Sequence, residues 1–225
     1  MQLKYDHIIR ETFPNLYVGL GVISDLGHFK KEVFEELRNS VYSKLKKQYT
    51  LENLKELHPL IKTYRDFFWA LKIDPTKIRP AAEALIRRVL GDRPIPRINC
   101  VVDAYNLASI QTGIALAAFD SDLLTGDLIM RFAKKNEDFL GIGMKKSIKL
   151  QGNELIITDK NQIIAIYPYR DADNTKVTKD SKKIVLMICG VPGIDKEILN
   201  SAAEIAITFI TQICGGKGTY QFYLQ

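Results

Sequence analysis

At Gly113 the hydrophobic period of this chain changes, and that change constrains the fold more than any other feature. Before it, apolar residues recur at three- and four-residue steps, as in Phe34, Leu37, Val41 and Leu45, or Ala82, Leu85, Ile86 and Val89. This is the spacing of amphipathic helices. The pattern predicts helices over 29–47, 58–71, 79–91 and 100–111, with Pro80 in a first turn and Gly91 as a stop. After Gly113 come short runs rich in β-branched and aromatic residues, which predict strands at 114–119, 127–132, 154–158, 163–169 and 183–189. An earlier apolar run at 15–23 reads as one more strand, and 195–214 as a last helix closed by Gly215-Gly216. The polar stretch 171–182 reads as an exposed loop. With no βαβ alternation, the expected fold class is α+β: a single mixed domain over 1–225, N-terminal helices first, then a mainly antiparallel β region and a C-terminal helix.

Several chemistries are disfavoured. The three histidines, His7, His28 and His58, all lie within the first 58 of 225 residues, so a nucleophile–histidine pair needs that segment folded back onto the rest. Surface or capping roles are expected for them. Cys100, Cys189 and Cys214 are far apart and form no CxxC pair, which argues against zinc and for inert thiols. No metal and no cofactor are expected. The Gly215-Gly216-Lys217-Gly218-Thr219 stretch lacks the Lys-Ser/Thr step of a phosphate loop and reads as a helix stop and turn. No run of eighteen apolar residues is present, and the start is charged and mixed, so a cytoplasmic protein without a membrane partner is expected.

The net charge is +6, and most of the excess falls in one stretch. Between Lys72 and Arg97 the cations are Lys72, Lys77, Arg79, Arg87, Arg88, Arg93 and Arg97, against Asp74, Glu83 and Asp92. Such a stretch is either a solvated helix surface or a phosphate-neutralising one. Tyr64, Phe67, Phe68 and Trp69 just upstream are either packing residues or stacking platforms. Further on, Arg97, Asn99, Asp103 and Asn106 fall within ten residues, and Asp103 and Asn106, three apart, share a helix face. Asp120 ends an apolar strand, Arg131 sits inside another, and Glu137, Glu154 and Asp159 stand at strand ends. Polar groups in apolar segments are internal anchors or pocket walls, and spacing leaves both open.

The run from Pro96 to Leu124 resembles the editing module of the phenylalanyl-tRNA synthetase β subunit. It carries Val101-Val102-Asp103, Asn106 and Ala118-Phe119-Asp120 in the order of that family's VVD..N helix and AFD strand. Arg131, Glu137, Glu154 and Asp159 continue the match. Upstream, Tyr64-Arg65-Asp66, Lys72 and Asp74-Pro75-Thr76-Lys77 are similar to free-standing versions of the module. The resemblance covers about 62–189, leaving 1–61 as an N-terminal extension. It implies a partner, tRNA or aminoacyl-tRNA, and hydrolysis of mischarged ester. It further implies a pocket at Arg65, Arg97, Asn99, Asp103, Asn106, Asp120, Arg131, Glu137, Glu154 and Asp159. The tRNA-binding surface would be Lys72, Lys77, Arg79, Arg87, Arg88 and Arg93. Two departures stand out. The family's histidine before AFD is Ala117 here, and its Gly-Gly-Glu segment corresponds to Tyr167-Pro168-Tyr169-Arg170-Asp171. Removal of tyrosine therefore does not follow. If the ester is cleaved without histidine, the candidates to orient water are Asp103, Asn106 and Asp120. A non-catalytic RNA-binding or protein-interaction module is the alternative.

Overall fold

A computed structural model describes residues 1–223. In chain order its elements are β1 (Leu3–Tyr5), α1 (His7–Thr12), β2 (Val18–Ser24), α2 (Lys31–Gln48), α3 (Leu54–Leu57), α4 (Pro59–Ala70), α5 (Ala81–Leu90) and α6 (Cys100–Thr112). There follow β3 (Ala115–Asp120), β4 (Leu128–Phe132), β5 (Asp138–Phe139), β6 (Ile148–Lys149), β7 (Leu155–Thr158), β8 (Ile163–Ile166), β9 (Arg170–Asp171), β10 (Ile184–Cys189), α7 (Lys196–Cys214) and β11 (Lys217–Tyr223). The fold is the expected mixed α+β.

Two sheets organise the body. The first, in the order β11-β2-β10-β3, is antiparallel throughout. Its strand β10 is buried at all six positions, which is why the run IVLMIC carries no polar alternation. Helices α6 and α7 pack against each other and against this sheet. Because α6 is enclosed by α2, α5, α7 and β3, it shows no single apolar stripe: Val101, Ala104, Leu107, Ala108 and Ile110 are all buried. The Asn99 side chain caps it by accepting the Val102 N–H at 2.9 Å, and Gly113, at φ 73°, turns the chain out into β3. The second sheet runs β1-β4-β7-β8-β9, with one parallel pairing, β1 on β4.

Three local expectations change. Residues 217–223 are not a turn but a full edge strand paired with β2. The first residues contribute β1 and α1, which the sequence reading left unassigned. The stretch 171–182 is only partly an exposed loop, since Ala172, Thr175 and Val177 are buried within it. Within the segment before Lys62, β2 lies inside the first sheet, between β11 and β10.

Candidate functional site

Ala115 at the start of β3 pairs with Cys189 at the end of β10, and α5 packs on β3. Tyr64 of α4 donates its hydroxyl to the Cys189 carbonyl at 2.5 Å and accepts the Ala115 N–H at 3.0 Å, so one buried phenol ties a helix to two strands. Tyr167, fully buried, donates to the Gly190 carbonyl. Its peptide to Pro168 is cis, and the turn that follows carries Tyr169 over Phe68, ring centroids 6.1 Å apart, and returns the chain to β9.

Between this turn and α6 lies a cavity of about 160 Å³. Ala117, Tyr105, Asn106, Tyr169, Asp171 and Cys189 stand in its wall. Ala117 and the turn are the two places where the chain departs from the resemblance, and the fold brings both to one void. A cavity of this size is about half the lower bound for whole-ligand sites, and it suits a fragment such as one side chain.

Asp171 is the chemically distinctive group here. Among the described residues, its carboxyl has no hydrogen-bond donor and no cationic partner. The residue is half-buried at the cavity wall, and desolvation there raises its carboxyl to about 7. The Tyr105 phenol and Cys189 thiol are likewise pushed up, by burial first and then by the Asp171 charge. A carboxyl that titrates near neutrality, unpartnered and facing a void, can accept a proton from water or hydrogen-bond a ligand. The sequence reading missed it. Its one signal was an acid at the end of the stretch corresponding to Gly-Gly-Glu, noted only for the glycines it lacks.

The expected pocket residues separate. Asn106 lines the cavity just described and also a second one, of about 320 Å³, beside Arg97 and Asp103. There Arg97 Nε meets Asp103 Oδ2 at 2.5 Å, and the other Asp103 oxygen accepts the Ile98 N–H at 2.9 Å. Arg131, Glu137 and Asp159 border a third, open basin on the second sheet. Arg131 and Glu137 form a two-pronged pair at 2.9 and 2.6 Å. Asp159 accepts the backbone N–H groups of Thr125, Asn161 and Gln162, and Glu154 those of Gln151, Gly152 and Asn153, so both hold loops. Asn99 caps α6, and Asp120 accepts the Ser181 hydroxyl at 2.5 Å. Neither lines the cavity of Asp171 or that of Arg97.

The basic stretch separates as well. Glu83 is fully buried on α5, where burial alone would push its carboxyl up; hydrogen bonds from Arg65 and Arg87 outweigh this and hold it below the usual range. Arg79 stands 3.6 Å from the same carboxylate. Arg65, Arg79 and Arg87 are therefore engaged by an internal acid, although Arg79 stays exposed; of the rest of the expected set, Lys72, Lys77 and Arg93 are exposed, while Arg88 is half-buried and donates to the Pro94 carbonyl at 3.2 Å. Of the four aromatic residues upstream, Tyr64, Phe67 and Phe68 are core, and only Trp69 is exposed. His58 caps α4, accepting the Leu60 N–H. Cys189 and Cys214 are buried and Cys100 half-buried, all as free thiols.

Comparison with known proteins decides the family, since the B3/4 domain model matches residues 63–215, more than half of the chain. The chain belongs to the B3/4 domain family. Curated relatives of this B3/4 domain include the phenylalanine–tRNA ligase β subunit of Haemophilus ducreyi, 26% identical over 143 residues, covering 53% of this chain and 18% of that one. The β subunit of Fusobacterium nucleatum is 28% identical over 153 residues, covering 57% and 18%. The domain thus spans about a fifth of the length of these relatives. An N-terminal fragment of the phenylalanyl-tRNA synthetase β subunit from Pyrococcus horikoshii shares the fold, with a TM-score of 0.51 at 13% identity, covering 100% of this chain and 54% of that one. Among the described residues, no helix is long and apolar enough to cross a membrane.

Proposed function

We propose that this B3/4 domain binds the aminoacylated 3′ end of a tRNA and hydrolyses the ester in trans, clearing a mischarged amino acid. One observation carries the reading: the side-chain-sized cavity walled by Ala117, Asn106 and the 167–171 turn, with the unpartnered Asp171 carboxyl in it. Its relatives are synthetase β subunits, which supports an RNA-borne ligand.

In this reading the amino acid side chain enters the cavity and its ester carbonyl lies at the mouth near Asn106. Asp171, ionised, takes a proton from a water as that water attacks the carbonyl carbon. The carbon–oxygen bond to the ribose breaks, the proton passes to the ribose oxygen, and free amino acid and uncharged tRNA leave. Asn106, whose amide has no hydrogen-bond partner among the described residues, is placed to donate to the developing oxyanion.

Ala117 in place of the family's histidine favours a second reading, binding without turnover. Incubation with a panel of mischarged tRNAs separates the two. Release of at least one amino acid, lost in Asp171→Asn, supports hydrolysis. Selective retention of acylated tRNA without release supports binding alone. Equal behaviour toward acylated and unacylated tRNA contradicts both.

A further inference from the structure

The second cavity, of about 320 Å³, lies between α2, the 92–99 linker and α6, and its α2 wall stands outside the family match. Its floor is apolar, formed by Phe34, Leu107 and Ile110. Its rim is cationic. Arg97 lies against two aromatic rings, its guanidinium carbon 4.1 Å from the Phe34 ring centroid and 4.8 Å from that of Phe29. Asp103 takes its Nε, and Glu35 bridges from Arg97, at 4.0 Å, to Arg38, at 2.5 Å. Three arginines line the cavity and two carboxylates face them, so one cation is in excess. That cation is Arg93, which among the described residues has no carboxylate partner. Tyr42 and Asn106 also line this cavity, and neither side chain has a hydrogen-bond partner among those residues.

An apolar floor, an aromatic side wall, two unsatisfied polar groups and one unmatched guanidinium describe a ligand with a flat ring, hydrogen-bonding edges and a single negative charge. We propose that this cavity binds one nucleoside monophosphate unit, its phosphate on Arg93 and its base beside Tyr42 over the apolar floor. Arginine presents a fork that matches two phosphate oxygens, and an aromatic face accepts any base. The volume sits at the low end of the roughly 300–1,000 Å³ range of small-ligand sites. Asn106 lines both cavities, so a nucleotide held here lies next to whatever occupies the Asp171 cavity. The inference rests on the proposed function only for its source, the end of an RNA strand; a free nucleotide presents the same chemistry.

The test is calorimetric titration of the full chain with AMP and with a short single-stranded RNA, using adenosine and inorganic phosphate as controls, at low and moderate salt. Saturable binding of AMP or RNA is expected, weakened at least tenfold by Arg93→Glu and several-fold by Tyr42→Ala, with both variants retaining the wild-type circular dichroism spectrum and melting cooperatively. RNA that competes with AMP and binds more tightly identifies a strand end; AMP binding that RNA does not disturb identifies a free nucleotide. No saturable binding of either ligand, or binding unchanged in folded Arg93→Glu, overturns the proposal. Ala117→Leu, which fills only the smaller cavity, should leave AMP binding intact. If AMP binds but no acylated tRNA is preferred, the proposed function fails and this site stands. If acylated tRNA is preferred but AMP and RNA ignore Arg93, this site fails and the proposed function stands.

Discussion

Arg65 of α4 forms a two-pronged ion pair with Glu83, an acid inside the most basic stretch of the chain, with Nε and Nη2 each 2.8 Å from a carboxylate oxygen. The Glu83 side chain has no solvent exposure, and Arg87 adds a third bond at 2.8 Å. The arrangement fastens α4 to α5 beside the Asp171 cavity.

Glu83→Gln leaves two mostly buried guanidiniums without a counter-charge. Breaking such a buried pair costs about 3–5 kcal/mol. Urea denaturation at pH 7 should show that loss. Because the Glu83 carboxyl is depressed, its stabilising contribution is present above the unfolded-chain value and is lost as pH falls through the lower folded value. The gap between variant and wild type should therefore narrow in strong acid.

Asp171 has the opposite sign. Burial raises it to about 7, so between about 4 and 7 the folded protein holds a proton that the unfolded chain has released. Its contribution to stability falls as pH rises through that window. Asp171→Asn should be more stable than wild type at pH 8, by on the order of 1–2 kcal/mol after screening by cavity water. At pH 4 the two should melt alike. Turnover, if Asp171 is the base, rises with pH up to about 7 and then levels; a pH-rate profile checks this.

Gly190 carries the carbonyl that receives the Tyr167 hydroxyl, and a Cβ built there lies 2.2 Å from the Tyr17 carbonyl oxygen. The obstruction is backbone, so it cannot swing aside. Gly190→Ala should cost about 2–3 kcal/mol or more, within the range for overpacked interiors, and should loosen the 167–171 turn. Thermal unfolding measures the first effect and proteolysis of the turn the second.

The helices around α6 were legible because amphipathic spacing survives in α2, α4 and α5, and because Asn99 and Gly113 mark the ends of α6. Strand β11 was not, although Gly218, Tyr220 and Phe222 alternate with Thr219 and Gln221. Paired glycines before it read as a turn, and only β2 shows what it packs against: at Gly19, a Cβ would lie 2.7 Å from the Phe222 ring. The site was half legible. Asn106 came from its helical spacing with Asp103 as well as from the resemblance, and Ala117 from the resemblance, whereas Asp171 was hidden at the head of a polar run. Arg65, Arg79 and Arg87 read as surface or pocket cations because a sequence does not reveal that Glu83, one acid among them, is the buried one.

The central claim is that the cavity of Ala117, Asn106 and Asp171 holds the amino acid of a charged RNA end. Equilibrium binding of tRNA bearing a non-hydrolysable 3′-amide-linked amino acid, compared with uncharged tRNA, tests it most directly in wild type and Ala117→Leu. The account predicts tighter binding of the charged form for at least one amino acid, with the preference abolished by Ala117→Leu while uncharged tRNA binds as before. Equal affinity for charged and uncharged tRNA across the amino acid panel, or a preference that survives with the cavity filled, would contradict it.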